Sequence, residues 1–258
     1  MGKLRGALLR LKACGQKAII PYIVAGFPDL ETSLDLVFEL QKRGASAIEI
    51  GIPFSDPMVD GPVIQAAHAK ALKKGVTPLS ILEAIKERES QWEVPLIVMT
   101  YFNLVFRMGE RHFARLLKEA GISGAIIPDL PPEEAGEWLK ASNEHEIDVV
   151  FLVAPNTPEK RIQKIVSLTT GFIYYLSLKG VTGSKIKDLQ NVKERVKMIK
   201  HITPLPVCVG FGIRERWEAE SLLEEADGII VGSSLLKALM EGGPSQMLEL
   251  FMELKGNV

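Results

Sequence analysis

Short apolar stretches rich in Ile and Val alternate along the chain with longer stretches whose apolar residues recur every three to four positions. Eight of the short kind stand out: 18–26 (AIIPYIVAG), 46–53 (SAIEIGIP), 94–101 (VPLIVMTY), 124–130 (GAIIPDL), 148–155 (DVVFLVAP), 171–178 (GFIYYLSL), 205–213 (LPVCVGFGI) and 227–234 (DGIIVGSS). Near-continuous apolar runs suit strands covered on both faces, as in a parallel sheet whose strands are joined through helices. Helical spacing is plain over 30–44 and 109–121, and a glycine closes each. Eight strand–helix units in 258 residues predict a closed (β/α)8 TIM barrel, with the chain 1–258 forming one domain. An open doubly wound sheet is the alternative, but the chain holds no GxGxxG fingerprint.

The intervals after the second and sixth runs are the longest. The first holds PFSDPMVDGP (53–62) and predicts an extra helix around 78–90; the second holds KGVTGSKIKD (179–188) ahead of a helix near 189–201. Both excesses follow strands directly, so they belong to the βα loops, the face on which barrels build their chemistry. The N-terminus adds a further element. Leu4, Leu8 and Leu11 recur at helical spacing with basic residues between them, which predicts an amphipathic helix rather than the apolar core of a signal peptide.

Composition narrows the partners. Lys and Arg number 31 against 32 Asp and Glu, a net charge of −1, too balanced for the positive field that sequence-independent nucleic-acid binding requires. No apolar run reaches the roughly 20 residues of a membrane helix, and MGKLRG lacks the Ser or Thr of a myristoylation signal. The expectation is a cytoplasmic protein acting on a small molecule or another protein. Cys14 and Cys208 are far apart and read as reduced thiols. His68, His112, His145 and His201 are scattered, none close to a cysteine or another histidine, so no metal site is expected.

The second strand carries the clearest chemical signal. Side chains alternate along a strand, so Ile48, Ile50 and Ile52 face the helices while Ala47, Glu49 and Gly51 face the barrel interior. No strand run carries a Lys or Arg in its middle to pair with Glu49. Burial without a partner raises a carboxyl pKa, which suits a group that both gives and takes a proton. Asp56, Asp60 and Asp129 stand in turn-like or strand-end sequences (SDP, DGP, PDLPP), and Asp129 could cap the helix after the prolines. Pattern does not separate these three. Gly212 and Gly232 end the last two strands, and with Ser233 and a helix start near Ser234 they match the phosphate site common in barrels. Residues 180–184 (GVTGS) suit a cover over a phosphorylated substrate, and Tyr22, Tyr174 and Phe211 could line a flat apolar pocket.

Taken together, EIGIPFSDPMVDGPVIQ, AGFPDLETS, MTYFNLVF, KGVTGS, VGFGI and GIIVGSSL, in this order and spacing over about 17–240, closely resemble the tryptophan synthase alpha chain family. The resemblance implies a lyase that cleaves indole-3-glycerol phosphate to indole and glyceraldehyde 3-phosphate. It implies Glu49 as the catalytic acid/base and Asp60, on a polar loop, as a second, ionised catalytic carboxylate. Tyr22, Tyr174 and Phe211 fall at its pocket positions, and Gly183, Gly212, Gly232 and Ser233 at its phosphate positions. Thr182 matches the threonine that orients Asp60, and Asp56 falls on the loop that meets the beta chain. That partner, in an alpha2-beta2 complex, holds pyridoxal phosphate and receives indole through a tunnel; the chain itself needs no cofactor or metal. A free-standing lyase and a mainly allosteric binding subunit are the alternatives. Two departures stand out: Val59 replaces the usual alanine, and Leu178-Lys179 replace the usual arginine-alanine pair.

Overall fold

The computed structural model describes residues 2–176, 185–210 and 212–256, with residues 185–188 by backbone alone. Its strands are β1 (Ala18–Val24), β2 (Ile48–Gly51), β3 (Leu96–Met99), β4 (Gly124–Ile126), β5 (Asp148–Val150), β6 (Leu152–Val153), β7 (Ile173–Leu176), β8 (Val207–Gly210) and β9 (Gly228–Val231). All pair in parallel in the order β5-β4-β3-β2-β1-β9-β8-β7-β6. The two ends of that order are consecutive in the chain, so the sheet closes on itself as the TIM barrel the pattern predicts. The fifth run, read as one strand, forms two ladder segments. Val149 O accepts from both Thr170 N (3.0 Å) and Gly171 N (3.2 Å), and Thr170 Oγ1 accepts from Val149 N (2.7 Å). The ladder is thus interrupted where pairing passes from β4 to β7, while Val150 and Leu152 still point to one face and Val149, Phe151 and Val153 to the other.

The helices are α1 (Lys3–Ala13), α2 (Leu30–Lys42), α3 (Pro62–Lys73), α4 (Pro78–Glu87), α5 (Phe102–Met108), α6 (Glu110–Glu119), α7 (Gly136–Glu144), α8 (Glu159–Leu168), α9 (Lys185–Ile202), α10 (Arg216–Leu223) and α11 (Ser233–Lys255). The long interval after β2 holds two helices, α3 and the extra helix expected around 78–90, which is α4. Gly75 (φ 78) and Thr77, which caps α4 with a reciprocal Ser80 bond, divide them. Gly243 (φ 75) and Pro244 likewise break α11 into a short leading segment and a longer outer one.

Two cores result. The outer one holds Ile48, Ile50 and Ile52 against the helices; the inner one gathers Ile20, Ala47, Ile97, Ile126, Val150, Phe172 and Cys208 inside the barrel. The inner core is sealed from below by α1, whose Leu4 and Leu8 are 0 and 2% exposed. Leu4 sits so close to β4 that a side chain at Gly124 would meet its Cδ2 at 2.6 Å. Asp148 of β5 lies against the start of this helix and caps it, accepting from Arg5 N at 3.0 Å. Among the described residues no helix is long and apolar enough to cross a membrane.

Candidate active site

Glu49 lies midway along β2, its Cα paired with Tyr22 on β1 and Ile97 on β3. It is 1% exposed, and neither carboxylate oxygen has a hydrogen-bond partner among the described residues. Burial, reinforced by the charge of Asp60, pushes its pKa from the ordinary 4.5 up to about 8. At neutral pH the group therefore carries its proton while standing ready to lose it. Glu49 lines a cavity of about 260 Å³ at the mouth of the barrel, together with Asp60, Tyr22, Tyr174, Gly212, Gly232 and Ser233.

Asp60 arrives from the β2–α3 loop. The loop is polar, yet the Asp60 carboxyl is turned inward and only 6% exposed. The open polar setting expected from its turn sequence is thus corrected: burial raises its pKa, and a hydrogen bond from Tyr101 opposes the rise. Tyr101 Oη donates to Asp60 Oδ2 at 2.7 Å, while the Tyr101 ring stacks on Phe54 at 5.0 Å between centroids. His68, nearly two turns into α3, is 2% exposed and joins the same cluster. Its Nδ1 accepts from Phe54 N (3.0 Å); its Nε2 lies 3.1 Å from Tyr22 Oη and 3.8 Å from Asp60 Oδ2. Burial lowers the His68 pKa to about 4, so the ring is neutral.

Small residues shape the pocket walls. Tyr22 lies across Gly51 and Gly232: a Cβ at Gly51 would meet the Tyr22 hydroxyl at 2.2 Å, and one at Gly232 would meet Tyr22 Cδ1 at 3.1 Å. Tyr174 lies in the same way over Gly210, where a Cβ would come within 2.6 Å of its ring. Any side chain at these positions would lift a tyrosine into the cavity. On the far wall Gly212 takes φ +65°, a conformation that favours glycine. Beside it α11 begins at Ser233 with Gly232 as its N-cap and no side-chain cap, which leaves the first-turn N–H groups open to an anion. Ser234 Oγ donates to Ile213 O at 2.6 Å and ties the first turn of α11 to the β8–α10 loop.

The structure thus brings Glu49, Asp60, Tyr22, Tyr174, Gly212, Gly232 and Ser233 to one cavity. Asp56 stands apart on the exposed tip of the β2–α3 loop, accepting from Ser55 Oγ at 2.5 Å. Thr182, Gly183 and Phe211, with Leu178 and Lys179, lie outside the described residues. Asp129 does not cap the helix after the prolines; its carboxylate accepts from Phe102 N at 2.8 Å and caps α5. Sequence reasoning missed Tyr101 and His68. Tyr101, near the end of the third strand run, reads by default as a core aromatic, and His68 is a lone polar residue on the buried alanine face of α3. Among the described residues no group of three or more His, Cys, Asp or Glu gathers as a metal site would need.

With this geometry in hand, comparison with known proteins is specific. The family model described as "Tryptophan synthase alpha chain" matches residues 8–256. The tryptophan synthase alpha chain of Methanocaldococcus jannaschii is 43% identical over 236 residues, covering 91% of this chain and 84% of that one. The one from Geotalea uraniireducens is 43% identical over 241 residues, covering 93% and 90%. Among solved structures, Mycobacterium tuberculosis tryptophan synthase superposes with a TM-score of 0.90 at 40% identity, covering 98% of this chain and 96% of that chain. Tryptophan synthase subunit alpha from Legionella pneumophila does so at 0.90 and 35%, covering 98% and 97%.

Proposed function

The chain belongs to the tryptophan synthase alpha chain family, lyases of amino-acid biosynthesis, and from that premise we propose that it cleaves indole-3-glycerol phosphate to indole and glyceraldehyde 3-phosphate. The observation that carries this reading is Glu49: a buried carboxyl without a partner among the described residues, facing a cavity that also holds a second carboxyl. Protonated at neutral pH, Glu49 gives its proton to C3 of the indole ring, and positive charge develops at N1. The C3–C3′ bonding pair then returns to the ring. The adjacent glycerol hydroxyl gives its proton to the Glu49 carboxylate, and its carbon becomes the aldehyde. One carboxyl thus serves as acid and then as base and ends the cycle unchanged. Asp60 meets the charge at N1; the Tyr101 hydrogen bond favours its ionised form. Tyr22 and Tyr174 hold the ring, while Gly212, Gly232, Ser233 and the first turn of α11 take the phosphate, with Thr182, Gly183 and Phe211 assigned to the same pocket.

The chain works as one barrel domain in the cytoplasm, without a cofactor of its own, and docks a beta chain that binds pyridoxal phosphate. Apolar side chains on neighbouring βα loops favour a partnered rather than a free-standing enzyme: Met58, beside Asp56, is 90% exposed and Phe106 on α5 is 68% exposed. Steady-state cleavage measured with and without added beta chain tests the reading. Stimulation by the partner supports it, and loss of that stimulation with basal cleavage intact in Phe106→Asp places the docking face. Fast cleavage by the chain alone would point to a free-standing lyase. No cleavage under either condition would overturn the assignment.

A further inference from the structure

His68 has no part in the chemistry above, yet it is the buried junction between the two sides of the pocket. It stands on α3, touches the backbone of the β2–α3 loop, and reaches Tyr22 on β1 and Asp60 on the loop. Its hydrogen bonds fix its tautomer. Nδ1 accepts the Phe54 N–H, so in the neutral ring the proton resides on Nε2. Nε2–H must then donate, and the oxygens before it are Tyr22 Oη at 3.1 Å and Asp60 Oδ2 at 3.8 Å. A tyrosine oxygen that accepts from His68 keeps its own proton for another acceptor. Tyr22 lines the cavity with its hydroxyl packed over Gly51.

We propose that His68 is a positioning residue of the cleavage reaction: its Nε2–H pins the Tyr22 hydroxyl so that the phenolic proton is aimed into the cavity as a donor to a substrate oxygen. The aim matters because a phenol without a fixed partner rotates among orientations, of which one is productive. Asp60 Oδ2, at 3.8 Å, lies beyond hydrogen-bond distance of Nε2, so the proton goes to Tyr22 and Asp60 keeps Tyr101 as its donor. This inference rests on the lyase reading, and it makes the indole-glycerol pocket polar at a position where the tyrosine ring alone would make it apolar.

Two isosteric variants separate the two ends of the ring. His68→Gln keeps a donor near the Nε2 position and gives up the Nδ1 acceptor; His68→Asn keeps an acceptor near Nδ1 and gives up the donor. With the beta chain present, His68→Asn and Tyr22→Phe should each lower kcat/KM about tenfold, the double variant should fall no more than about twofold further, and His68→Gln should stay within about threefold of wild type. The reverse ranking, or additive losses in the double variant, would overturn the proposal. Nitrogen-15 NMR of the unmodified protein supplies an arm independent of activity and of variant folding. A His68 ring protonated at Nε2 and not at Nδ1 at pH 7 is expected, and an Nδ1–H tautomer would sink the idea. Failure of the wild-type complex to cleave would instead overturn the lyase reading and leave the tautomer measurement standing.

Discussion

Replacing Glu49 by Gln should stabilise the protein, and increasingly so as pH rises. Below pH 4.5 the glutamate is protonated in both the folded and unfolded chain, so its titration contributes no difference. Between 4.5 and about 8 the unfolded chain releases the proton while the folded chain retains it. The folded state then binds more protons, and wild-type stability falls with pH at about 1.4 kcal/mol per pH unit. Above pH 8 the folded carboxyl ionises too and the slope ends. Across the interval from 4.5 to 8 the loss reaches about 5 kcal/mol, a large part of a typical domain's stability. Glutamine has no such titration, so subtracting the two proteins cancels the groups they share. Urea unfolding of each at half-unit steps from pH 4.5 to 9 measures it. The stability gap in favour of Glu49→Gln should widen through pH 8 and then level off. A gap independent of pH would mean that Glu49 titrates alike in both states and would refute the reasoning. The same substitution should abolish cleavage, because the amide can neither give nor take the proton.

Two further outcomes follow from other parts of the site. Tyr101→Phe removes the donor that opposes the burial of Asp60, so its carboxyl pKa should rise. The acidic limb of the kcat/KM profile should then move to higher pH with roughly a tenfold loss at pH 7, and an unmoved limb would show that another group sets it. Leu4→Ala opens a cavity beneath the barrel and should cost about 2–5 kcal/mol in urea unfolding with kcat/KM of the folded enzyme unchanged; a matching fall in kcat would show that the plug reaches the site.

How much of this was legible in the residues depends on the range over which each interaction acts. Strand alternation is local, so the inward aim of Glu49 and the outward aim of Ile48 and Ile50 followed from period alone, and the absent basic partner followed from reading the other strand runs. The break at Phe151 was invisible because an unbroken apolar run says nothing about which neighbour each half pairs with. The second helix in the interval after β2 was legible because that interval is too long for one unit, and α4 begins at Pro78 within the expected span. Asp60 and Asp129 misled because a turn sequence reports local backbone, whereas Tyr101 and Phe102, far along the chain, decide where those carboxylates point. His68 needed three neighbours, Tyr22 on β1 and Phe54 and Asp60 on the β2–α3 loop, before its role had any content.

The helix that seals the barrel also sets the order of assembly. Leu4 meets Gly124 and Gly171, Arg5 is capped by Asp148, and Lys12 Nζ reaches Leu205 O at 3.3 Å and Asp227 Oδ2 at 3.2 Å. Every one of those partners is translated more than a hundred residues after the helix itself. During synthesis α1 leaves the ribosome with an apolar stripe and nowhere to bury it, and it finds its full seat only when the strands that carry these partners have formed. A segment made before its partners is therefore housed after them, and a nascent chain stopped before residue 227 should present that stripe to chaperones.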